Sequence, residues 1–191
     1  YCREVMENAQ GDLDKVKAYD VRIHSCIAQY EMVEAVRTTA TALGLLGVHM
    51  PERPSRAGIV LALLKTKLTL WGKNIASLVD LPEMVDPVPR AALRIMSSSA
   101  KAVYTAEPGL MPYVAANMVS LSIKYGNAPE STLAYASYAT ILVGVLGDID
   151  GGYQFGELAL ALAQRHGIVK ATTRPLMAVH FFIKPWKEHY R

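Results

Sequence analysis

Residues 131–150, STLAYASYATILVGVLGDID, decide the fold class of this chain. The run from 131 to 147 has no charged residue, but it is short for a membrane span of about 20 apolar residues, and it contains serine, threonine and tyrosine. It therefore predicts a buried core helix. Gly147 is a typical helix stop, and Asp148 or Asp150 can cap a second helix that runs to about His166. The stretch thus predicts two helices joined by a tight turn.

The same helical periodicity, with apolar residues three and four positions apart, extends through most of the chain. It predicts six further helices, over about 12–30, 31–46, 55–71, 89–104, 110–125 and 170–183. No segment alternates apolar and polar residues between hairpin-turn signals, so a sheet is not expected. We therefore predict an all-α fold of about eight helices, arranged as antiparallel hairpins with short turns.

Each predicted helix has an apolar stripe that we expect to face the core. The stripes of the first four helices are Val16, Tyr19, Ile23, Ile27 and Tyr30; Met32, Val36, Leu43 and Leu46; Val60, Leu64, Leu68 and Trp71; and Ala92, Met96, Ala100 and Val103. Asp12 and Ser55 are predicted N-caps, Gly47 is a predicted stop, and Pro185 is predicted to end the last helix.

Small side chains recur where paired helices would cross, which allows a close approach of the two backbones. Tyr19, Ala35 and Ala42 have the spacing of a tetratricopeptide (TPR) unit. A second match comprises Ala136, Gly147, Gly152 and Ala159. These patterns predict hairpins stacked as a TPR-like solenoid, whose concave surface would bind a partner, with an ordinary helical bundle as the alternative.

This interpretation gives one helical-repeat domain over residues 1–191, which we take as a fragment of a larger chain because it begins at Tyr1. A TPR-like pair occupies 1–50. A degenerate pair occupies 55–106 and contains a proline-rich connection at 80–89, where three prolines exclude a regular helix. The remaining helical hairpins occupy 108–191.

Composition excludes disorder, because 51% of the residues are hydrophobic and only 19% are charged. Cys2 and Cys26 are too few for a disulfide scaffold, so we expect a cytoplasmic location. We expect no membrane span, because the longest uncharged stretch is short and Lys65 and Lys67 interrupt the apolar run after Arg56. The net charge of +3 arises in residues 165–191, which carry six Lys or Arg against one acid, Glu188. A solvated helix face explains this excess better than a nucleic-acid site, because no basic run or aromatic platform accompanies it.

Catalytic and ligand motifs do not occur in the sequence. The five histidines lack metal-site spacing: His24, His49, His166, His180 and His189. Residues 98–101 match S-x-x-K without its companion motifs, and residues 148–152 begin like a calcium loop but lack the later ligands. No phosphate loop, protein-kinase signature or G-x-S-x-G elbow is present. We predict no catalytic, cofactor-binding or metal-binding residue.

Five segments carry a resemblance to a known family. They are 80–87 (DLPEMVDP), 117–127 (NMVSLSIKYGN), 135–138 (YASY), 144–160 (GVLGDIDGGYQFGELAL) and 186–191 (WKEHYR). This set resembles the helical-repeat region of the large multi-sensor kinases of bacteria, notably cyanobacteria. Such proteins join a serine/threonine kinase-like domain, a P-loop (AAA-type) ATPase, the repeat region, a GAF sensor and a histidine kinase. The resemblance implies a cytoplasmic signalling context, and it transfers no catalytic residue.

We therefore expect a non-catalytic scaffold or regulatory domain of a multidomain signal-transduction kinase, which binds a partner protein or the neighbouring ATPase and sensor domains. The main alternative is a small-molecule sensor whose apolar pocket is lined by aromatic side chains. Those aromatic candidates are Trp71, Tyr113, Tyr125, Tyr135, Tyr138, Tyr153 and Trp186. Two further alternatives are an all-helical enzyme and a nucleic-acid binder. The sequence has no acidic metal cluster for the enzyme and no basic run for the nucleic-acid binder.

Overall fold

The computed structural model describes residues 11–51, 55–165, 167 and 173–188. Over these residues the fold is helical and has no strand, since the pairing of Glu83 with Asn127 is an isolated bridge. The eight α-helices are α1 (Asp12–Ala28), α2 (Met32–Leu45), α3 (Arg56–Leu70), α4 (Pro87–Ala106), α5 (Met111–Tyr125), α6 (Ser131–Gly144), α7 (Ile149–Arg165) and α8 (Thr173–Ala178). The predicted all-α class with about eight helices is confirmed for this part of the chain.

The described residues divide into two compact units. The first unit is drawn from residues 1–60 and 85–114, and the second from residues 61–84 and 115–191. Helices α3 and α5 each contribute residues to both units. No helix in the described ranges combines the length and the apolar composition that crossing a bilayer requires.

In the first unit, α1 and α2 form a hairpin and α4 packs against both. The predicted stripe of α2 is confirmed, because its four residues are buried. The prediction for Tyr30 is wrong, since its side chain is 79% exposed. The reason is local: α1 ends at Ala28, and Tyr30 lies in the turn with a φ of 60°, so the helical register no longer applies to it. Its ring lies 5.4 Å from the ammonium group of Lys101.

Helix boundaries follow local capping chemistry. The Ser55 hydroxyl accepts a hydrogen bond from the Gly58 amide at 3.0 Å, which confirms Ser55 as a cap. Gly11, rather than Asp12, occupies the N-cap of α1. Helix α4 begins at Pro87, two residues earlier than predicted, because the Asp86 carboxylate accepts from the Val88 amide at 3.0 Å. Proline is tolerated in a first helical turn, where its missing N–H has no partner to lose.

In the second unit, α6 and α7 form the hairpin that the opening stretch predicts. Gly147 makes the turn with a φ of 69°, and the Asp148 carboxylate caps α7 by accepting from the Gly151 amide at 2.9 Å. A Cβ atom at Gly152 would collide with the Val143 side chain and lie 3.0 Å from the Ala139 carbonyl oxygen. The small residue is therefore what lets α6 and α7 approach.

The last described helix loses regularity after Ala178. Residues Val179–Ile183 form a π-helical segment, whose two end residues are buried beside Gly156 of α7. Pro185 lies within a short 3₁₀ turn, Lys184–Trp186, so it starts a new turn after the helix has ended. The predicted start of this helix at Lys170 lies outside the described residues.

Candidate functional site

A buried polar cluster joins three of the segments that carry the family resemblance. The Asn127 amide nitrogen donates to the Leu78 carbonyl at 2.8 Å, and its amide oxygen accepts from the Tyr135 hydroxyl at 2.8 Å. The Asn127 backbone donates to the Pro82 carbonyl and accepts from the Met84 amide, both at 2.8 Å. Asn127 thereby fixes the proline-rich connection to the end of α5 and the start of α6. Every polar atom of its side chain is used for this structural task.

The aromatic residues beside this cluster belong to the core. Tyr135 is fully buried, and its ring centroid lies 6.0 Å from that of Phe155. Tyr138 packs edge-on against the same Phe155 ring, with the centroids 5.0 Å apart. Burial raises the pKa of both tyrosines, so both hydroxyls are protonated at neutral pH. The two tyrosines contribute to core packing, and nothing among the described residues around them prepares them for proton transfer.

A cluster of charged side chains ties the 3₁₀ turn to α7. The Glu188 carboxylate accepts from the Tyr153 hydroxyl at 2.7 Å and pairs with Lys184 at 3.1 Å. Lys184 also pairs with Glu157 at 3.2 Å. The hydrogen bond from Tyr153, followed by that from Lys184, lowers the pKa of Glu188. Burial lowers the pKa of Lys184, but its bonds to the two glutamates outweigh that effect and raise it. Lys184, Glu157 and Glu188 are therefore each paired with an opposite charge, as in a cluster that stabilises the fold.

Helix α3 exposes the apolar stripe that the sequence predicted to be buried. The side chains are exposed by 54% at Val60, 52% at Leu64, 64% at Leu68 and 81% at Trp71. That prediction is wrong, because periodicity reveals a stripe without revealing which side of the helix packs. Leu61 is a further exposed apolar residue, at 68%. Large apolar side chains grouped on one exposed face are typical of interaction surfaces.

The opposite side of α3 is held by a small polar residue. Thr66 is fully buried, and its hydroxyl lies 3.0 Å from the carbonyl oxygens of Ala62 and Ala116 and 2.9 Å from the Ser120 hydroxyl. Leu64 and Thr66 lie about 200° apart around a helix of 3.6 residues per turn. Turning the leucines inward would therefore expose Thr66 and break its contacts with α5. We define the outer face of α3 as Leu61, Leu64, Leu68 and Trp71.

The histidines within the described residues are His24, His49 and His180. His24 is exposed, with its Nε2 atom 3.8 Å from the Asp20 carboxylate. The His49 carbonyl accepts from the Tyr113 hydroxyl at 2.6 Å. His180 is exposed on the π-helical segment, whereas His166 and His189 lie outside the described residues. Within the described part of the chain, no group of three or more His, Cys, Asp or Glu could hold a metal ion.

Comparison with known proteins adds no family assignment. No protein-family profile, curated protein or solved structure matches this chain. The candidate site therefore rests on the geometry of the chain itself, and the outer face of α3 is its most distinctive feature.

Proposed function

We propose that this chain is a non-catalytic helical scaffold or regulatory domain, which acts in the cytoplasm by binding a partner protein. The observation that carries the proposal is the outer face of α3, because three leucines and a tryptophan face solvent while Thr66 holds the opposite side in place. Exposed tryptophan is enriched among the residues that dominate binding energy in protein interfaces. A face of this composition gains stability when a second protein covers it.

The wider context of the proposal comes from the resemblance to multi-sensor kinases. In such a protein this chain would lie after a P-loop ATPase and would bind that ATPase, a neighbouring sensor or kinase domain, or a separate signalling protein. The parent protein would supply the serine/threonine and histidine kinase activities. This chain would supply only the binding surface.

We further propose that the hairpins stack as a TPR-like solenoid. Ala35 and Ala42 of α2 are fully buried, and Ala136 and Ala159 of the second hairpin are at most 1% exposed. Close helix contacts of this kind suit stacked hairpins. An experimental structure of the longer protein tests the arrangement: successive hairpins related by one repeated rotation and translation support it, and hairpins around a single central core contradict it.

The regulatory role can be tested on the parent protein. ATPase and kinase activity would be measured in the intact protein and in the variant Leu64→Ser/Leu68→Ser. We expect the variant to change either activity at least severalfold while its helical content stays the same. Unchanged activities, together with no cross-link between this chain and any other domain or signalling protein, would refute the regulatory role.

The small-molecule alternative has no comparable observation in its favour. Tyr135 and Tyr138 pack in the core around Phe155, whereas the Tyr153 hydroxyl is bonded to Glu188 on the surface. Trp186 is 63% exposed. A thermal-shift screen against metabolites separates the two functions, because a sensor domain is stabilised by its ligand and a protein-binding domain is not.

A further inference from the structure

The outer face of α3 has the residue spacing of a coiled-coil seam. Leu61, Leu64, Leu68 and Trp71 follow one another at steps of three, four and three residues, which are the a and d positions of a heptad. Helical geometry places the four within an arc of about 80°. Trp71 directly follows the last residue of α3, and its amide donates to the Leu68 carbonyl at 3.2 Å in a tightened final turn. All four side chains of the seam are exposed.

Two lysines border this seam on opposite sides. In the same heptad Lys65 occupies an e position and Lys67 a g position, and each lies about 40° beyond the edge of the apolar arc. Both are exposed, and neither forms an ion pair within the described residues. The sequence has no Asp or Glu from residue 55 to residue 79, so the positive charge is not neutralised along this segment.

We infer that the outer face of α3 binds an acidic amphipathic helix of another protein, with glutamates or aspartates on both sides of its own apolar stripe. The inference rests on the proposed function in one respect only, namely that a protein covers this face. Charges at e and g positions select the partner in paired helices. Acidic side chains there would pair with Lys65 and Lys67, while the leucines and Trp71 would be buried in the seam.

Charge disfavours a second copy of this chain as the occupant. If a second copy of this chain paired through the same face, each segment would bring Lys65 and Lys67 and no acidic residue to the seam, so no charge pair across it would be attractive. For a membrane surface the charge is at the lower limit, because polybasic membrane sites use clusters of about four to eight Lys or Arg, and residues 55–79 carry four: Arg56, Lys65, Lys67 and Lys73. The vesicle experiment below separates this occupant from a protein helix.

Two synthetic peptides test the inference directly. Each has three heptads with leucine at a and d; one has glutamate at every e and g position, and the control has lysine there. The full chain would be titrated with each peptide by calorimetry, at low and at high salt. We expect the glutamate peptide to bind about tenfold more tightly or better, from two attractive rather than two repulsive charge pairs, and to weaken as salt rises.

Two variants locate the binding. Lys65→Glu/Lys67→Glu should reverse the preference between the peptides, and Leu64→Ser/Leu68→Ser should abolish binding of both. The matched control is Val21→Ser/Val33→Ser, which removes two apolar side chains of similar exposure, 60% and 56%, from other helices and should change nothing. Circular dichroism checks that each variant is folded.

Several results would overturn the inference. These are equal binding of the two peptides, binding of neither, or binding that survives Leu64→Ser/Leu68→Ser. Self-association in sedimentation that the same variant abolishes would assign the face to a second copy. Binding to phosphatidylserine vesicles that the variant abolishes would assign it to a membrane. A positive peptide result with unchanged ATPase and kinase activity would instead refute the regulatory function and leave the inference standing.

Discussion

Removal of one hydroxyl, in Tyr135→Phe, should destabilise the second unit by about 2 kcal/mol. The Tyr135 hydroxyl is the donor at 2.8 Å to the Asn127 amide oxygen, and Asn127 is only 3% exposed. The variant keeps the ring against Phe155 but leaves that buried oxygen without its donor, which costs about 1–3 kcal/mol. For a chain of this length the loss corresponds to a fall in Tm of about 4–8 °C.

Hydrogen exchange at the amides of Met84 and Asn127 measures this effect locally, because both amides belong to the hydrogen-bonded cluster. The matched control is Tyr138→Phe, which makes the same chemical change on the same helix, beside the same Phe155 ring. The Tyr138 hydroxyl has no hydrogen-bond partner within the described residues, so we expect a loss below about 0.5 kcal/mol. Equal losses in the two variants would refute the role assigned to the Asn127 cluster.

Two further predictions concern the same unit. Gly126→Ala should destabilise it by about 2 kcal/mol or more, because Gly126 has a φ of 104° and a Cβ atom there would collide with the Pro82 carbonyl. In the control Gly144→Ala the new Cβ atom meets open space, so this variant should be neutral or slightly stabilising in urea unfolding. Similar unfolding midpoints for the two variants would contradict the argument. Tyr153→Phe should raise the pKa of Glu188 toward its ordinary value of 4.5, as measured by an NMR pH titration. Because the pKa of Glu188 is lower in the folded state, Glu188 contributes stability above its unfolded pKa and loses that contribution as the pH falls through its folded pKa. An unchanged Glu188 titration in Tyr153→Phe would rule out the tyrosine hydrogen bond as the cause of the lowered pKa.

Turn and cap chemistry made the hairpins predictable from the sequence. Gly47, Gly126 and Gly147 have positive φ values of 71°, 104° and 69°, as expected of glycines that end helices. Ser55 and Asp148 act as the predicted caps, since each accepts a backbone N–H in the first turn of its helix. Such signals are local, and a local signal can be read without knowing what packs against the helix.

The orientation of α3 was not predictable in the same way. Its sequence is apolar on both sides, since Ile59, Leu63 and Leu70 lie on the same side as Thr66, so periodicity does not single out the buried side. The structure buries Thr66, whose hydroxyl contacts the Ala62 carbonyl in its own helix and two groups of α5 that lie 50 and 54 positions later in the chain. The Asn127 cluster was missed for the same reason. Its only sequence signal is an asparagine followed by Ala128 and Pro129 at the end of a helix.

The repeat architecture and the signalling role remain predictions. The small residues Ala136, Gly152 and Ala159 lie in the core of a tight hairpin, but such a hairpin occurs both in solenoids and in bundles. The proposed binding role rests on the outer face of α3, whose exposure depends on how the helix packs and not on its sequence pattern alone.

The outward leucines of α3 also have a consequence for the lifetime of the protein. If the proposed partner covers this face, copies without the partner expose these leucines to water, and chaperones and quality-control proteases recognise exposed apolar side chains on unassembled subunits. Under the proposed function, the abundance of the protein should follow that of its partner, with surplus copies degraded or aggregated. A pulse-chase comparison of the natural chain with Leu64→Ser/Leu68→Ser would reveal this, because the variant should survive longer when the partner is scarce.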